Sequence, residues 1–300
     1  MLSKEYNKTQ VVKYLIWAFV IAYILQIGAA FLYNSGDRVI WQMPVAAAMY
    51  APALAVLLAG GKFRSMGWKP RIRKNIRPIL IAWFAPLLLT AVGASLYFLI
   101  FPGHFVLTGE YMIASGAEEA LSQMEAQGVS FLTYFLISII GCITYAPAIN
   151  VFVALGEEIG WRGFLYPQLK TRFGRKKGWI LGGIIWGAWH WPLICLIGYE
   201  YGTATGNAKG YIGAPIVGML LFCVITVGLG ILHDRLYEKS RCIWVPAIFH
   251  GAVNAAGTLP LAVCRINTGS ARLLGPAPVS IIAGLPFLAA AAVIFVRSGE

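Results

Sequence analysis

Charged residues are scarce in this sequence. Asp, Glu, Lys and Arg together make up 12% of its 300 residues, whereas hydrophobic residues make up 59%. Soluble globular proteins carry roughly 25% charged residues, so the composition argues for a protein whose solvent is the lipid bilayer. The formal net charge of +12 does not indicate nucleic-acid binding, because the positive residues lie in loops between apolar runs and form no basic patch with interleaved aromatics.

The sequence also lacks a disulfide framework. Its five cysteines are scattered, form no Cys-x-x-Cys pair and lie mostly inside apolar runs. Such a set is typical of free thiols packed as small hydrophobic side chains. A cleavable signal peptide is not evident, because the first apolar run starts near Val11, is long enough to span and has no clear small-residue cleavage site.

Long apolar runs recur along the whole chain, and each reaches the roughly 20 residues that a spanning helix needs. We therefore predict an all-α, polytopic membrane protein of about eight transmembrane helices, folded as a single integral membrane domain over residues 1–300. The acidic segment 102–130 is expected to form a short amphipathic helix on the outer surface. The predicted spans are 11–33, 41–60, 78–101, 131–155, 179–199, 213–232, 243–264 and 274–296.

The distribution of positive charge predicts the orientation. Of the 24 Lys and Arg residues, all but Arg38, Lys209, Arg265 and Arg272 fall on one side of the predicted spans. The positive-inside rule then places both termini in the cytoplasm, in a protein of the plasma membrane. The basic loop 61–77 is expected to face anionic lipid headgroups.

A few ionisable or strongly polar residues lie within or just after the apolar runs, where a charge costs on the order of 3 kcal/mol. No breaker follows the fourth run until Pro167, so its helix is expected to continue to about Tyr166. The helical rise then brings these residues to similar depths on the cytoplasmic side, roughly 10–16 Å along the fifth and seventh helices. They are Glu157, Glu158, Arg162, His190, His250 and Asn254.

Together these side chains could hydrolyse a peptide bond. A carboxylate and two imidazoles can hold zinc or position a water molecule directly, and an Asn amide can donate to an oxyanion. The spacing alone is weakly specific, since no His-Glu-x-x-His motif occurs. Each group also has a structural interpretation: Glu158 and Arg162 as an i,i+4 ion pair, His190 as a core histidine, and His250 with Asn254 as an interhelical clamp. His233, near a predicted loop, is expected to be solvated.

Three motifs in order resemble the family of CAAX proteases and bacteriocin-processing enzymes, also called the Abi family. The resemblance covers roughly residues 130–260, which would be the catalytic core, and the one departure is Trp186 where the family usually has Phe. The motifs are Glu157-Glu158-Ile-Gly-Trp-Arg162, Trp186-Gly-Ala-Trp-His190 and His250-Gly-Ala-Val-Asn254.

The resemblance implies a role for each residue. Glu157 would activate the attacking water with help from His190, while His250 and Asn254 would stabilise the oxyanion. Glu158, Arg162 and Trp186 would support the site. Zinc has been inferred for the family, and here its ligands would be His190, His250 and Glu157; a metal-free, glutamate-dependent mechanism is the competing view.

The implied partner is a membrane-associated or lipidated polypeptide, and eukaryotic members of the family cleave the last three residues from prenylated CAAX proteins. Two other classes of function stay open at this point. One is a non-catalytic immunity protein that binds a bacteriocin-like peptide, and the other is a transporter. The clustering of the ionisable groups on one side argues against transport, because no polar path reaches the outer face.

Overall fold

The computed structural model describes residues 5–36, 40–202, 210–266 and 268–299. Within them the chain is helical, and its extended pairing is one antiparallel bridge between Phe105 and Cys264, so the predicted all-α class is confirmed. The helices are α1 (Lys8–Asn34), α2 (Gln42–Ala48), α3 (Ala51–Leu58), α4 (Ile72–Ile100), α5 (Glu110–Met112), α6 (Glu118–Ala126), α7 (Phe131–Thr144), α8 (Ala146–Gly160), α9 (Tyr166–Phe173), α10 (Arg175–Trp189), α11 (Trp191–Ile197), α12 (Ile216–Ser240), α13 (Trp244–Gly257), α14 (Leu259–Ala262) and α15 (Ile281–Arg297).

Four of these helical stretches are long and apolar enough to cross a membrane. They are α1, α4, the stretch Arg175–Ile197 formed by α10 and α11, and α12. A fifth is possible in length and composition if the bent pair Glu110–Ala126 and Phe131–Thr144 counts as one span. Large apolar side chains on these helices face outward, such as Phe31 at 74% and Leu99 at 78% exposed. Water would oppose such faces, whereas lipid does not, so the chain is an integral membrane protein.

Four of the eight apolar runs do not appear as single spans: three are divided where a proline begins a new helix, and the fourth, 274–296, contains the shorter helix α15 of 17 residues. Pro52, Pro147 and Pro260 each stand in the first turn of a new helix, α3, α8 and α14. Proline is favoured there because it has no N–H to leave unbonded, and its ring clashes with the carbonyl of the preceding turn. The runs 41–60, 131–155 and 243–264 are therefore divided into shorter helices. The count of eight and the cytoplasmic placement of the termini stay predictions.

The segment 102–130 contains the predicted short helix. It is α6, with acidic residues in its first turn and Leu121 as its buried apolar contact. The chain then bends by 108° into α7. The cysteines are free, as predicted: Cys142, Cys223, Cys242 and Cys264 are buried and Cys195 is exposed.

The helices that carry the site are packed closely together. Helix α13 packs against α8 and α4, and α10 packs against α12. Glycine makes the second approach possible, because a Cβ added at Gly183 would lie 2.3 Å from the Cα of Val227 and one at Gly187 would lie 2.7 Å from the Cα of Cys223. Small residues at a membrane helix interface allow this backbone contact.

We expect Gly183→Ala to destabilise the protein by about 1–3 kcal/mol, because the new methyl group overlaps backbone that cannot move aside cheaply. The measurement is the midpoint of thermal unfolding in detergent. The matched control is Gly28→Ala in α1, where a Cβ would meet nothing within 4 Å; it should unfold at or slightly above the wild-type temperature. Equal midpoints for both variants would show that the α10–α12 contact is not tight.

Candidate active site

One helical run carries both glutamates and the arginine. Helix α8 continues through a π-helical turn, Trp161–Leu165, into α9, so the predicted continuation to about Tyr166 is confirmed. A π turn adds one residue to the helical repeat and is frequent at functional sites. It lies immediately after the two glutamates and contains Arg162.

Glu158 is held by two cationic or ionisable partners. Its Oε1 accepts hydrogen bonds from an Arg162 guanidinium nitrogen at 2.9 Å and from His250 Nδ1 at 2.8 Å. Glu158 and Arg162 are both fully buried, so the predicted i,i+4 pair is present and is more than a surface contact. The guanidinium also stacks 4.3 Å from the ring centroid of Trp186 and 4.8 Å from that of Tyr166, which stabilises its charge in the absence of water.

Glu157 has a different environment, although it is the preceding residue. Its Oε2 accepts hydrogen bonds from the indole N–H of Trp161 at 2.9 Å and from that of Trp186 at 2.7 Å. Its other oxygen accepts no hydrogen bond from the described residues, and the side chain lines a cavity. Successive residues on a helix point about 100° apart, so one carboxylate enters the ion-pair network and the other faces open space. Trp186 donates to Glu157 and stacks on Arg162, so it contacts the open carboxylate and the ion pair of Glu158 with Arg162.

The four residues predicted to be catalytic line this same cavity. Glu157, His190, His250 and Asn254 come from α8, the α10–α11 junction and α13, and they enclose about 60 Å³ of space for water-sized molecules. At about 30 Å³ of liquid volume per water, that is room for about two waters. Glu157 and His250 are buried, His190 is half-buried and Asn254 is exposed, so Asn254 marks the mouth.

His190 is oriented for proton chemistry. It stands where α10 ends and α11 begins, and its Nδ1–H donates to the main-chain carbonyl of Trp186 at 2.9 Å. That hydrogen bond fixes the tautomer in which Nε2 carries the lone pair. Aromatic rings of Trp189 and Phe222 lie 4.7 Å and 4.8 Å away, centroid to centroid, and hold the imidazole in place.

The expectation that His233 is solvated is wrong. It is fully buried in α12, where Nδ1–H donates to the carbonyl of Leu229 at 2.7 Å and Nε2 lies 3.9 Å from Glu158 Oε1. The apolar run ends at residue 232 because Asp234 and Arg235 follow, but α12 continues to Ser240. Asp234 is itself buried and paired with Lys170 and the indole of Trp179, a partnership that hydropathy cannot reveal.

Three buried residues offer ligand atoms close enough for a metal ion. They are Glu158, His233 and His250, whose candidate atoms lie within 4.8 Å of one another, and no other such group occurs in the described ranges. Only His250 of this group is among the zinc ligands predicted from the sequence, which are His190, His250 and Glu157. Glu158 Oε2 and His233 Nε2 are buried without a hydrogen-bond partner, but the group does not fit a resident zinc, because Glu158 Oε1 accepts from Arg162 and from His250. A guanidinium on the same oxygen would repel a dication. Zinc at the predicted set stays a prediction.

The structure is that of an integral membrane protein with a site of buried carboxylates and imidazoles. Two comparisons of the sequence with known proteins agree with these features. Residues 130–256 match the family model of the type II CAAX prenyl endopeptidase Rce1-like proteins. The chain is also 27% identical over 248 residues to CAAX prenyl protease 2 of Methanococcus maripaludis, covering 80% of this chain and 81% of that protein. Both comparisons confirm the resemblance to CAAX proteases that the three motifs show.

Replacing Arg162 should cost far more stability than replacing a surface arginine. Arg162→Gln leaves Glu158 without its cationic partner in a fully buried site, and we expect a loss of about 3–5 kcal/mol. Arg162→Lys keeps the charge but loses the planar stacking, so its loss of stability should lie between zero and that of Arg162→Gln. The control is Arg175→Gln, which removes a partly exposed contact with Glu238 and should cost about 1 kcal/mol or less. Thermal unfolding of the three variants measures this order, and an equal loss for Arg162→Gln and Arg175→Gln would contradict it.

Proposed function

We propose that this protein is a CAAX-type endopeptidase that hydrolyses a peptide bond near the C-terminus of a prenylated, membrane-associated polypeptide. One observation carries the proposal. Glu157, His190, His250 and Asn254 arise from separate stretches of sequence and line one small cavity. The family's name and that of the methanococcal relative support a prenylated CAAX polypeptide as the substrate class.

In the proposed reaction a water molecule lies between the free oxygen of Glu157 and Nε2 of His190. Glu157 takes a proton from this water as its oxygen bonds to the substrate's carbonyl carbon. The carbonyl π electrons move to the carbonyl oxygen, and the resulting oxyanion accepts hydrogen bonds from the Asn254 amide and from Nε2–H of His250. Glu157 then gives its proton to the leaving nitrogen, and the C–N bond breaks. The first products are a carboxylic acid and an amine, and the acid's proton then passes to the amine, so a carboxylate and a protonated amine leave.

The ion-pair network supports this chemistry indirectly. His250 donates from Nε2 to the oxyanion most effectively as an imidazolium, and the Glu158 carboxylate on its Nδ1 stabilises that charge. Arg162 pairs with Glu158 at 2.9 Å, and Trp186 holds Glu157 from one side. Since no step requires a metal, we assign the enzyme to the glutamate-dependent type, and we expect cleavage to survive a zinc chelator.

Substrate access completes the proposal. The cavity accommodates only a few waters, so the helices around its mouth must separate before a polypeptide enters. The distribution of Lys and Arg favours access from the cytoplasmic side of the plasma membrane, with both termini inside. A lipid-modified C-terminal tail, whose anchor already lies in that leaflet, would reach the site by lateral movement.

We expect Glu157→Gln to abolish cleavage while leaving the protein folded, because the amide cannot accept the water's proton. Purified protein in detergent would be tested on farnesylated CAAX peptides and on the same peptides without the lipid, with and without a zinc chelator. Glu125→Gln, an exposed acid in α6, is the matched control and should cleave like wild type. Full turnover by Glu157→Gln would refute the assignment. Chelator-sensitive cleavage would refute the metal-free type, and binding without cleavage by wild type would favour the immunity alternative.

Asn254→Ala should act on the chemical step. Removal of one oxyanion donor costs about 10²- to 10³-fold in kcat, and because the interaction forms in the transition state, KM should change little. Steady-state kinetics on the farnesylated peptide give both constants. A rise in KM with unchanged kcat would instead make Asn254 a substrate-binding residue at the mouth.

A further inference from the structure

A second, larger cavity lies away from the candidate active site and shares no lining residue with it. It has about 460 Å³ of space for water-sized molecules and sits where α4 begins and α12 ends. Both helices are among those able to span a membrane, so the cavity lies at the level of a membrane surface. We call it the basic cavity, and its principal lining side chains are Arg64, Trp68, Lys69, Arg71, Tyr237 and Arg241.

Its four principal cations have no anionic partner. Arg64, Lys69, Arg71 and Arg241 are exposed and make no ion pair with any residue in the described part of the chain. The carboxylate of Glu238 also lines the cavity, but its oxygens already contact basic side chains. Those contacts are with Lys170 at 3.0 Å, Arg175 at 3.3 Å and Arg235 at 3.3 Å.

The start of α4 adds to the uncompensated positive potential. Its first turn contains no acidic residue and includes Arg73 and Lys74, and Arg71 is its N-cap. The N-terminal end of a helix carries a partial positive charge, so cations there are unfavourable and an anion is stabilised. A sequence optimised only for stability would place Asp or Glu at these positions.

The backbone of two of these arginines is also unusual. Arg71 caps α4 with φ +46° and Arg241 caps α12 with φ +53°, in the left-handed region that favours glycine. The surrounding loop is fixed in place: a Cβ on Gly67 would lie 2.1 Å from the carbonyl oxygen of Arg241, and the hydroxyl of Tyr237 donates to the carbonyl of Met66 at 3.2 Å. Membrane topology explains positive charge in this loop, but it does not explain arginine at two left-handed caps facing one cavity.

We propose that the basic cavity binds a phosphate group. Four cations and a helix N-terminus surround it, and arginine's planar fork suits phosphate geometry. The position at the ends of two spans suits the phosphate of an anionic phospholipid headgroup, and a soluble phosphate compound presents the same chemistry. A bound phosphate would link α4 to α12 and neutralise charge that the chain leaves unpaired. This site is independent of the proposed protease activity.

Binding of short-chain phosphatidylglycerol to the full-length protein in detergent tests the proposal, with short-chain phosphatidylcholine and inorganic phosphate as comparison probes. The test variant is Arg71→Gly with Arg241→Gly, because glycine keeps the left-handed caps while removing both charges. The control is Lys13→Gln with Lys177→Gln, which removes the same charge from exposed residues outside the cavity. A second test variant, Arg64→Gln with Lys69→Gln, leaves both caps untouched.

We expect phosphatidylglycerol to bind each test variant at least about tenfold more weakly than it binds wild type. Its affinity for the control variant should stay within about twofold of wild type. Phosphatidylcholine, whose headgroup has no net charge, should not bind. The thermal midpoint of the glycine variant should not fall, because glycine relieves the backbone. Displacement of the lipid by inorganic phosphate would identify a soluble phosphate as an alternative source. The proposal would be overturned if the control variant lost as much affinity for phosphatidylglycerol as the test variants. It would also be overturned if wild type bound neither phosphatidylglycerol nor inorganic phosphate.

Discussion

The buried carboxylate of Glu158 is the constraint on which the rest of the site depends. A charge buried among the helices has little contact with water, so the chain itself must supply partners for it. Arg162 and His250 both bond to the same oxygen, and the stacked rings of Trp186 and Tyr166 cover the guanidinium. This network ties α8 and α9 to α13 and to α10, and it therefore fixes the relative positions of three segments that line the candidate active-site cavity.

Two adjacent glutamates can divide structure from chemistry because a helix turns them in different directions. Glu158 is held by charge, whereas Glu157 is held on one oxygen by two indole N–H groups and keeps the other oxygen open to the cavity. The two indole N–H groups orient this carboxylate so that its second oxygen faces the cavity. The same helical run ends near Lys170, which lies on the basic cavity, so a ligand there would contact the element that carries both glutamates.

Much of this could be predicted from local sequence. The pairing of Glu158 with Arg162 follows from their i,i+4 spacing on a helix. Polar side chains in or beside apolar runs are costly, and this cost selects four further residues, each of which lies in one of the three motifs. They are Glu157, His190, His250 and Asn254. Features that depend on tertiary packing could not be predicted. His233 and Asp234 follow the apparent end of an apolar run, and only their partners explain their burial. The prolines that divide three runs into short helices show why hydropathy gives more spans than the helices themselves support.

The most direct test compares Glu157→Gln with Glu158→Gln in the same detergent preparation, measuring thermal unfolding and cleavage of one farnesylated peptide for both. The division between the two carboxylates predicts that Glu157→Gln unfolds at the wild-type temperature without cleaving, while Glu158→Gln unfolds at a distinctly lower temperature because Arg162 is left buried and unpaired. Cleavage by Glu157→Gln, or wild-type stability together with wild-type turnover in Glu158→Gln, would contradict it.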